Sequence, residues 1–268
     1  MRLRILLPLV LAATSLHAQS TQAAIEARLV HQPLYLRGFW HDDKLKFDSS
    51  GTLRGSSSPT SFTVCGVDIS RVKLTRDHLE LDGPRIGLTF AYYKPLRVVL
   101  RQGKQGDEHD AAVHLEIAAP ASGDYTAALD VIFARLDELA PMLPEWWQRY
   151  ASKYLVVDSA PQPVLPSVHV TDSPRRIGGG VAPPRVLDAP EPQFSEYARA
   201  VKLSGNVLVY LQVDTDGKPI KVSILRPLGL GLDERAVAAV QGYRFAPAME
   251  GGHPVRVEMN VEVNFQIF

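Results

Sequence analysis

The residues of this chain that could do chemistry are few and scattered. Its eight histidines form no H-x-x-x-H pair, and no His/Cys cluster has the spacing of a metal site. Neighbouring carboxylates such as Asp42-Asp43 and Asp107, Glu108 and Asp110 lie in stretches where turns and solvated charges are expected. There is no G-x-S-x-G elbow, and Gly178-Gly179-Gly180 lies between prolines instead of between a strand and a helix. We therefore expect a protein that is not an enzyme and needs no cofactor.

The single cysteine, Cys65, excludes an intrachain disulfide. It lies in an apolar run between Val64 and Gly66, without a neighbouring positive charge that would lower the pKa of its thiol. We expect it to pack as a small core residue.

Charge and length limit the class of partner. The 29 basic residues balance the 29 acidic ones, and no run of Lys and Arg stands out, so nucleic acid is not an expected partner. A chain of 268 residues that is 46% hydrophobic can bury one large core or two modest ones.

The N-terminus has the layout of a secretory signal peptide over residues 1–18. Arg2 and Arg4 precede an apolar stretch at 5–13, and Leu16-His17-Ala18 is a plausible cleavage site. The pattern predicts an exported, periplasmic protein. The alternative is an uncleaved inner-membrane anchor, although the apolar run falls short of the roughly 20 residues that span a bilayer.

Residues 20–158 are predicted to form a β-rich domain. Short alternating or β-branched runs separated by turn residues, Asp82-Gly83-Pro84 among them, favour a mainly antiparallel meander, sandwich or barrel. The predicted strands are 34–40, 44–47, 61–69, 72–74, 78–81, 86–90, 96–100 and 113–118.

Two helices are predicted to close this domain. Apolar residues recur at helical spacing from Leu129 to Leu139, with Asp124 as a capping residue, and "PEWWQRYASKYL" forms a second helix that starts at Pro144. Its aromatic residues, Trp146, Trp147, Tyr150 and Tyr154, fit either a ligand-stacking surface or core packing. Core packing is the commoner use of such side chains, and we expect it here.

Residues 159–192 are predicted to be a linker. Eight prolines and the three glycines 178–180 disfavour regular secondary structure over most of this stretch. In a polyproline-like state it could extend on the order of 100 Å, so its expected role is reach.

The last segment, 193–268, parses as a small α+β domain. A helix at 195–203, strands at 207–213 and 220–224 joined by an Asp216-Gly217 hairpin, and a helix from Asp233 precede a closing strand. The predicted fold is a three-stranded antiparallel sheet with two helices on one face.

The closing strand is predicted to run over 255–267, where every odd position is apolar. This is longer than the roughly 5–6 residues of an average strand, so part of it could overhang its partner and offer an edge for another chain. The candidate binding residues are Val255, Val257, Glu258, Met259, Asn260, Val261, Glu262, Val263, Asn264 and Phe265. Alternatively, the strand only closes the sheet, or it pairs with its own copy in a homodimer.

This segment resembles the C-terminal domain of TonB proteins, the periplasmic energy transducers of outer-membrane transport. The residues that carry the resemblance are Pro192-Gln193-Phe194, Gly205-Asn206-Val207, Asp216-Gly217-Lys218, Leu232-Asp233 with Ala236, Tyr243-Arg244-Phe245-Ala246-Pro247 and the closing stretch 261–265. Ser195 stands where the family usually has Pro, Tyr243 where it has Trp, and the signal-like N-terminus replaces the family's membrane anchor.

The resemblance implies that a segment of an outer-membrane TonB-dependent receptor, or of another envelope protein, adds itself to the final strand. Glu258 and Glu262 would then guard the edge against indiscriminate pairing, unless they are ordinary solvated residues. Three functions stay open at this point: transport coupling across the envelope, a soluble periplasmic adaptor without energy transduction, and a β-domain that binds a small apolar ligand.

Overall fold

The computed structural model describes residues 21–102, 109–155 and 174–267. The predicted signal peptide, Asp107, Glu108 and the first half of the predicted linker lie outside the described residues. The described chain is a mixed α/β structure with several sheets and six α-helices. Within these ranges no helix is both long and apolar enough to cross a membrane.

The first part of the chain folds around one eight-stranded sheet with the order β10-β1-β3-β5-β9-β2, in which β4 and β6 also pair with β5. A separate ribbon joins β7 to β8. The strands are β1 Leu34–Leu36, β2 Lys44–Phe47, β3 Gly66–Val67, β4 Arg71–Leu74, β5 His78–Ala91, β6 Lys94–Val99, β7 Arg101–Gln102, β8 His109–Asp110, β9 Ala112–Ala118 and β10 Phe133–Ala134. The sheet is mainly antiparallel, as predicted, but β2 and β9 pair in parallel.

The prediction of two separate strands around Asp82-Gly83-Pro84 is wrong, because β5 runs through these residues without a turn. Its first half pairs with β4 and β9, and its second half with β3 and β6. A Cβ on Gly83 would lie 1.9 Å from the carbonyl oxygen of Asp68. The glycine therefore marks a close backbone approach within a strand, which is the other common use of Gly in such a position.

The helices also differ from the prediction. They are α1 Gln22–Leu29, α2 Thr126–Ile132, α3 Leu136–Leu139 and α4 Glu145–Tyr154. The single helix expected through Leu139 is interrupted by β10, which pairs with β1. The N-cap of α2 is Tyr125 and not the predicted Asp124, although Asp124 Oδ1 accepts the backbone N–H of Thr126 at 3.0 Å just before it. Helix α4 follows Pro144 directly, as predicted.

The C-terminal part contains the predicted three-stranded antiparallel sheet, in the order β14-β13-β18. Helix α6 packs against β13 and β14. The elements are β11 Val181–Ala182, β12 Arg185–Asp188, α5 Glu196–Ala200, β13 Gly205–Val213, β14 Pro219–Arg226, α6 Leu232–Gly242, β15 Arg244–Ala246, β16 Ala248–Glu250, β17 His253–Val255 and β18 Val257–Phe265.

The described half of the predicted linker lies along the C-terminal sheet system. Strand β11 pairs with β16, which in turn pairs with β17, and β12 pairs with β15. These pairings fix the stretch from Val181 to Asp188 against the C-terminal elements. The predicted reach of the linker remains a prediction that concerns residues 159–173, which lie outside the described residues.

One hydrophobic core is shared by both parts of the chain. Phe62, Leu88 and Trp147 belong to the same buried cluster as Ile224 and Val240. Helix α4 thus packs on the C-terminal sheet as well as on the β-rich part, whereas it was expected to close the latter only. The burial of Trp147 and Tyr150 confirms that these aromatics are core residues. The division into two domains remains a prediction.

Backbone contacts reinforce this junction. The N–H of Leu230 donates to the carbonyl of Leu88 at 3.0 Å, and Gly229 forms an isolated bridge with Thr89. Gly229 has a φ of +100°, and a Cβ there would lie 2.1 Å from the Leu88 carbonyl oxygen. Only glycine fits both the conformation and the space.

Replacing Gly229 by Ala should lower the free energy of unfolding by about 3 kcal/mol, because overpacking and a positive φ each cost roughly 1–3 kcal/mol. Chemical denaturation of the folded protein measures this change. The matched control is Gly251→Ala, at a φ of +57° with no atom within 4 Å of the new Cβ, which should cost about 1 kcal/mol. Equal costs for the two variants would contradict the tight junction.

Candidate functional site

Strand β18 pairs with β13 along its whole length. The register is unbroken from Val257 opposite Val213 to Phe265 opposite Gly205. The predicted overhang is therefore wrong, and the strand is shorter than the predicted range 255–267. Val255 belongs to β17 and pairs with Ala248. The alternating sequence pattern spans two strands, because Arg256 alone separates the end of β17 from the start of β18.

The side chains of β18 alternate as its sequence predicts. Val257, Val263 and Phe265 are buried toward α6, and Met259 and Val261 are half-buried on the same face. The opposite face carries the polar side chains Glu258, Asn260, Glu262 and Asn264. This period of two is the one that a strand with a single buried face requires.

The backbone at the outer edge of β18 has a partner only at its start. The N–H of Arg175 donates to the carbonyl of Arg256 at 2.8 Å, and the N–H of Glu258 donates to the carbonyl of Arg175 at 3.3 Å. Since the N–H and C=O of one strand residue point to the same side, those of Asn260, Glu262 and Asn264 also point outward. Beyond Glu258, no backbone group of the described chain bonds to this edge.

The other edge of the sheet is covered. Helix α4 lies against β14. On one face of the sheet Trp147 Nε1 donates to Glu234 Oε1 of α6 at 3.3 Å, and on the other the Arg149 guanidinium lies 4.0 Å from the ring centroid of Tyr210. A helix that reaches both faces in this way runs beside the edge strand. Covering an edge with a helix prevents it from pairing with other strands.

Polar contacts order the exposed face next to the free edge. Glu262 accepts hydrogen bonds from Asn206 Nδ2 at 3.2 Å and from Arg226 Nη2 at 2.8 Å. Glu258 accepts one from the Tyr210 hydroxyl at 3.0 Å. Cross-strand pairs of this kind contribute about 0.2–1 kcal/mol each. The two glutamates are therefore fixed in register across the sheet, and whether they also guard the edge stays a prediction.

Two adjacent acidic residues lie at the start of α6. Asp233 is buried, and its carboxylate accepts the backbone N–H groups of Leu228 and Gly229 at 2.8 and 2.9 Å. It was predicted to cap the helix, and instead it holds the loop that precedes it. Burial, followed by the charge of Glu234, raises the pKa of Asp233 to about 8. Burial also raises the pKa of Glu234.

The described residues bring no set of metal ligands together at the positions that could do chemistry. No group of three His, Cys, Asp or Glu side chains in these ranges could hold a metal ion. Cys65 is buried in the core as predicted, and this burial raises the pKa of its thiol to about 12. Sequence reasoning missed Arg85, whose buried guanidinium donates to the carbonyls of His41 and Asp42 and to Asp43.

The C-terminal part of the chain matches a family model described as Gram-negative bacterial TonB protein C-terminal, over residues 190–267. These residues form a TonB C-terminal domain. The expectation from the ordered motifs is confirmed, although Tyr243 and Ser195 depart from the usual pattern.

Two known proteins also align with part of this chain. The protein TonB of Vibrio cholerae serotype O1 is 26% identical over 107 residues, which cover 40% of this chain and 43% of the relative. The match thus spans less than half of that relative's length. A solution NMR structure of the Pseudomonas aeruginosa TonB CTD is 21% identical, covers 35% of this chain and 93% of that one, and has a TM-score of 0.29.

The raised pKa of Asp233 predicts that the TonB domain loses stability as the pH rises. A carboxyl group with a folded pKa near 8 contributes stability that is complete below its unfolded pKa of 3.8 and is lost as the pH rises through 8. The free energy of unfolding should therefore fall between pH 5 and pH 8, and by less in Asp233→Asn. Urea denaturation across this range tests the difference. The control is Asp188→Asn, at an exposed position, in which the free energy of unfolding should change with pH as it does in the wild type. The same pH dependence in Asp233→Asn would contradict the account.

Proposed function

We propose that this protein binds an extended segment of another envelope protein at the free edge of β18, and that this binding supports transport across the cell envelope. The observation that carries the proposal is the asymmetry of the sheet. The outward N–H and C=O groups of Asn260, Glu262 and Asn264 have no partner in the described chain, whereas α4 covers the opposite edge. An open edge is a template for strand addition.

The proposed partner is an outer-membrane TonB-dependent receptor. The TonB C-terminal domain at residues 190–267 and the likeness to the V. cholerae protein TonB support this choice over other envelope proteins. The signal-like residues 1–18 support export to the periplasm. A homodimer, in which two β18 edges pair with each other, is the competing occupant of the same site.

The side chains beside the open edge of β18 determine which residue types a partner segment should carry. Met259 and Val261 are half-buried at the edge, so a partner strand gains by placing apolar side chains beside them. The other face carries Glu262 and the amides of Asn260 and Asn264, which favour basic or polar side chains. The expected segment alternates apolar and polar residues.

The test is a titration of the mature chain, beginning at residue 19, with peptides from the periplasmic N-termini of TonB-dependent receptors of the same genome. The whole mature chain is used because α4 supplies part of the core of the TonB domain. Amide resonances at 260–264 should shift and saturate. Unchanged resonances at millimolar peptide would contradict the proposal, and concentration-dependent broadening without peptide would favour the homodimer.

Replacing Asn260 by Pro should weaken peptide binding at least tenfold, because it removes an outward N–H while the bonds to β13 remain. The matched control is Asn260→Ala, which removes the same side chain but keeps the N–H and should bind like wild type. Calorimetric titration of both variants measures the difference. Equal affinities of the two variants would show that the peptide does not add to this edge.

Mass spectrometry of the protein from the periplasm decides between coupling and adaptor roles. Retention of residues 1–18 would supply the anchor that transmission of force requires. Their removal would favour a soluble adaptor that uses the same edge, and edge binding itself would be unaffected by either result.

A further inference from the structure

A cavity of about 820 Å³ lies where the β-rich part meets the TonB domain. Its walls come from the loop before β3, from the start of α4, from α5 and from the first turn of α6. Sites for small organic ligands usually measure about 300–1,000 Å³ and combine an apolar lining with a few polar groups. This cavity has both features, because the rings of Phe39, Phe62, Trp146 and Trp147 line it together with Glu234.

Glu234 has one satisfied oxygen and one without a partner. Its Oε1 accepts the Ser61 hydroxyl at 2.5 Å and the indole N–H of Trp147 at 3.3 Å. Its Oε2 is buried and has no hydrogen-bond partner in the described chain. A buried polar atom without a partner costs about 1–3 kcal/mol, so a site that keeps one calls for an explanation such as a bound molecule.

The electrostatics of the cavity favour a cation. Neither Glu234 nor the adjacent Asp233 forms an ion pair with a described residue. The exposed lining charges Glu196 and Arg235 offset each other, and the Arg235 guanidinium is bonded to Gln193. The Glu234 carboxylate thus has no direct ion-pair partner among the described residues, and it lies beside aromatic rings, whose faces also attract cations.

We propose that this cavity binds a small hydrophobic ammonium compound. Its ammonium group donates to Glu234 Oε2, and its apolar body packs between Trp146 and Phe62. The charge-assisted bond supplies the partner that Oε2 lacks and keeps the carboxylate ionised. This site draws its lining from the junction, so it is independent of the β18 edge and of the function proposed for it.

The experiment compares three probes with the same body: 4-phenylbutylamine, 4-phenylbutanol and 4-phenylbutyrate. Each probe is titrated into the chain beginning at residue 19, and binding is measured by calorimetry and by the shift of the Trp147 indole N–H resonance. The amine should bind at least tenfold more tightly than the alcohol, equivalent to about 1.4 kcal/mol, and the carboxylate should not bind. Equal binding of amine and alcohol would overturn the ammonium assignment.

Two variants test where the ammonium group binds. Each variant removes one negative charge from the lining of the cavity. Glu234→Gln should lose the preference for the amine over the alcohol, whereas Glu196→Gln, at an exposed lining position, should keep it. Circular dichroism and the urea midpoint establish that both variants are folded. If E234Q does not fold, a shift of the wild-type Trp147 indole resonance with amine but not with alcohol still supports the proposal. Equal loss in both variants, or no Trp147 shift, would contradict it.

Discussion

The backbone groups at the two edges of the β14-β13-β18 sheet are the constraint on which the rest of this structure depends. A three-stranded sheet leaves two rows of outward N–H and C=O groups that must find water, a cover or another strand. Helix α4 covers the β14 side, where Trp147 and Arg149 reach around the strand to both faces. The sheet can therefore grow in one direction only, from β18.

The same cover explains why the β-rich part and the TonB domain share a core. Trp147 is buried between Phe62 of the β-rich part and the elements of the TonB domain, with ring centroids of Phe62 and Trp147 4.7 Å apart. Removing the residues before the TonB domain would expose this apolar surface together with the β14 edge. The described contacts therefore hold the TonB domain against the β-rich part.

Local patterns in the sequence predicted the TonB domain well. The alternation of apolar and polar residues from Val257 to Phe265 correctly predicts which side chains face inward, because successive side chains of any strand point to opposite faces. The path of β5 through Gly83 could not be predicted. A glycine is required there because the backbone of Asp68 comes close, and no local sequence pattern encodes that contact. The docking of α4 on β14 and the burial of Arg85 depend on the tertiary fold in the same way.

Amide hydrogen exchange of the unliganded protein tests the open edge most directly. The N–H groups of Met259, Val261 and Val263 point to β13 and should be protected, whereas those of Asn260, Glu262 and Asn264 should exchange rapidly. This alternation along one strand is what an edge open to a partner predicts. Uniform protection from Val257 to Phe265 would show that the edge is already paired, and would contradict the account.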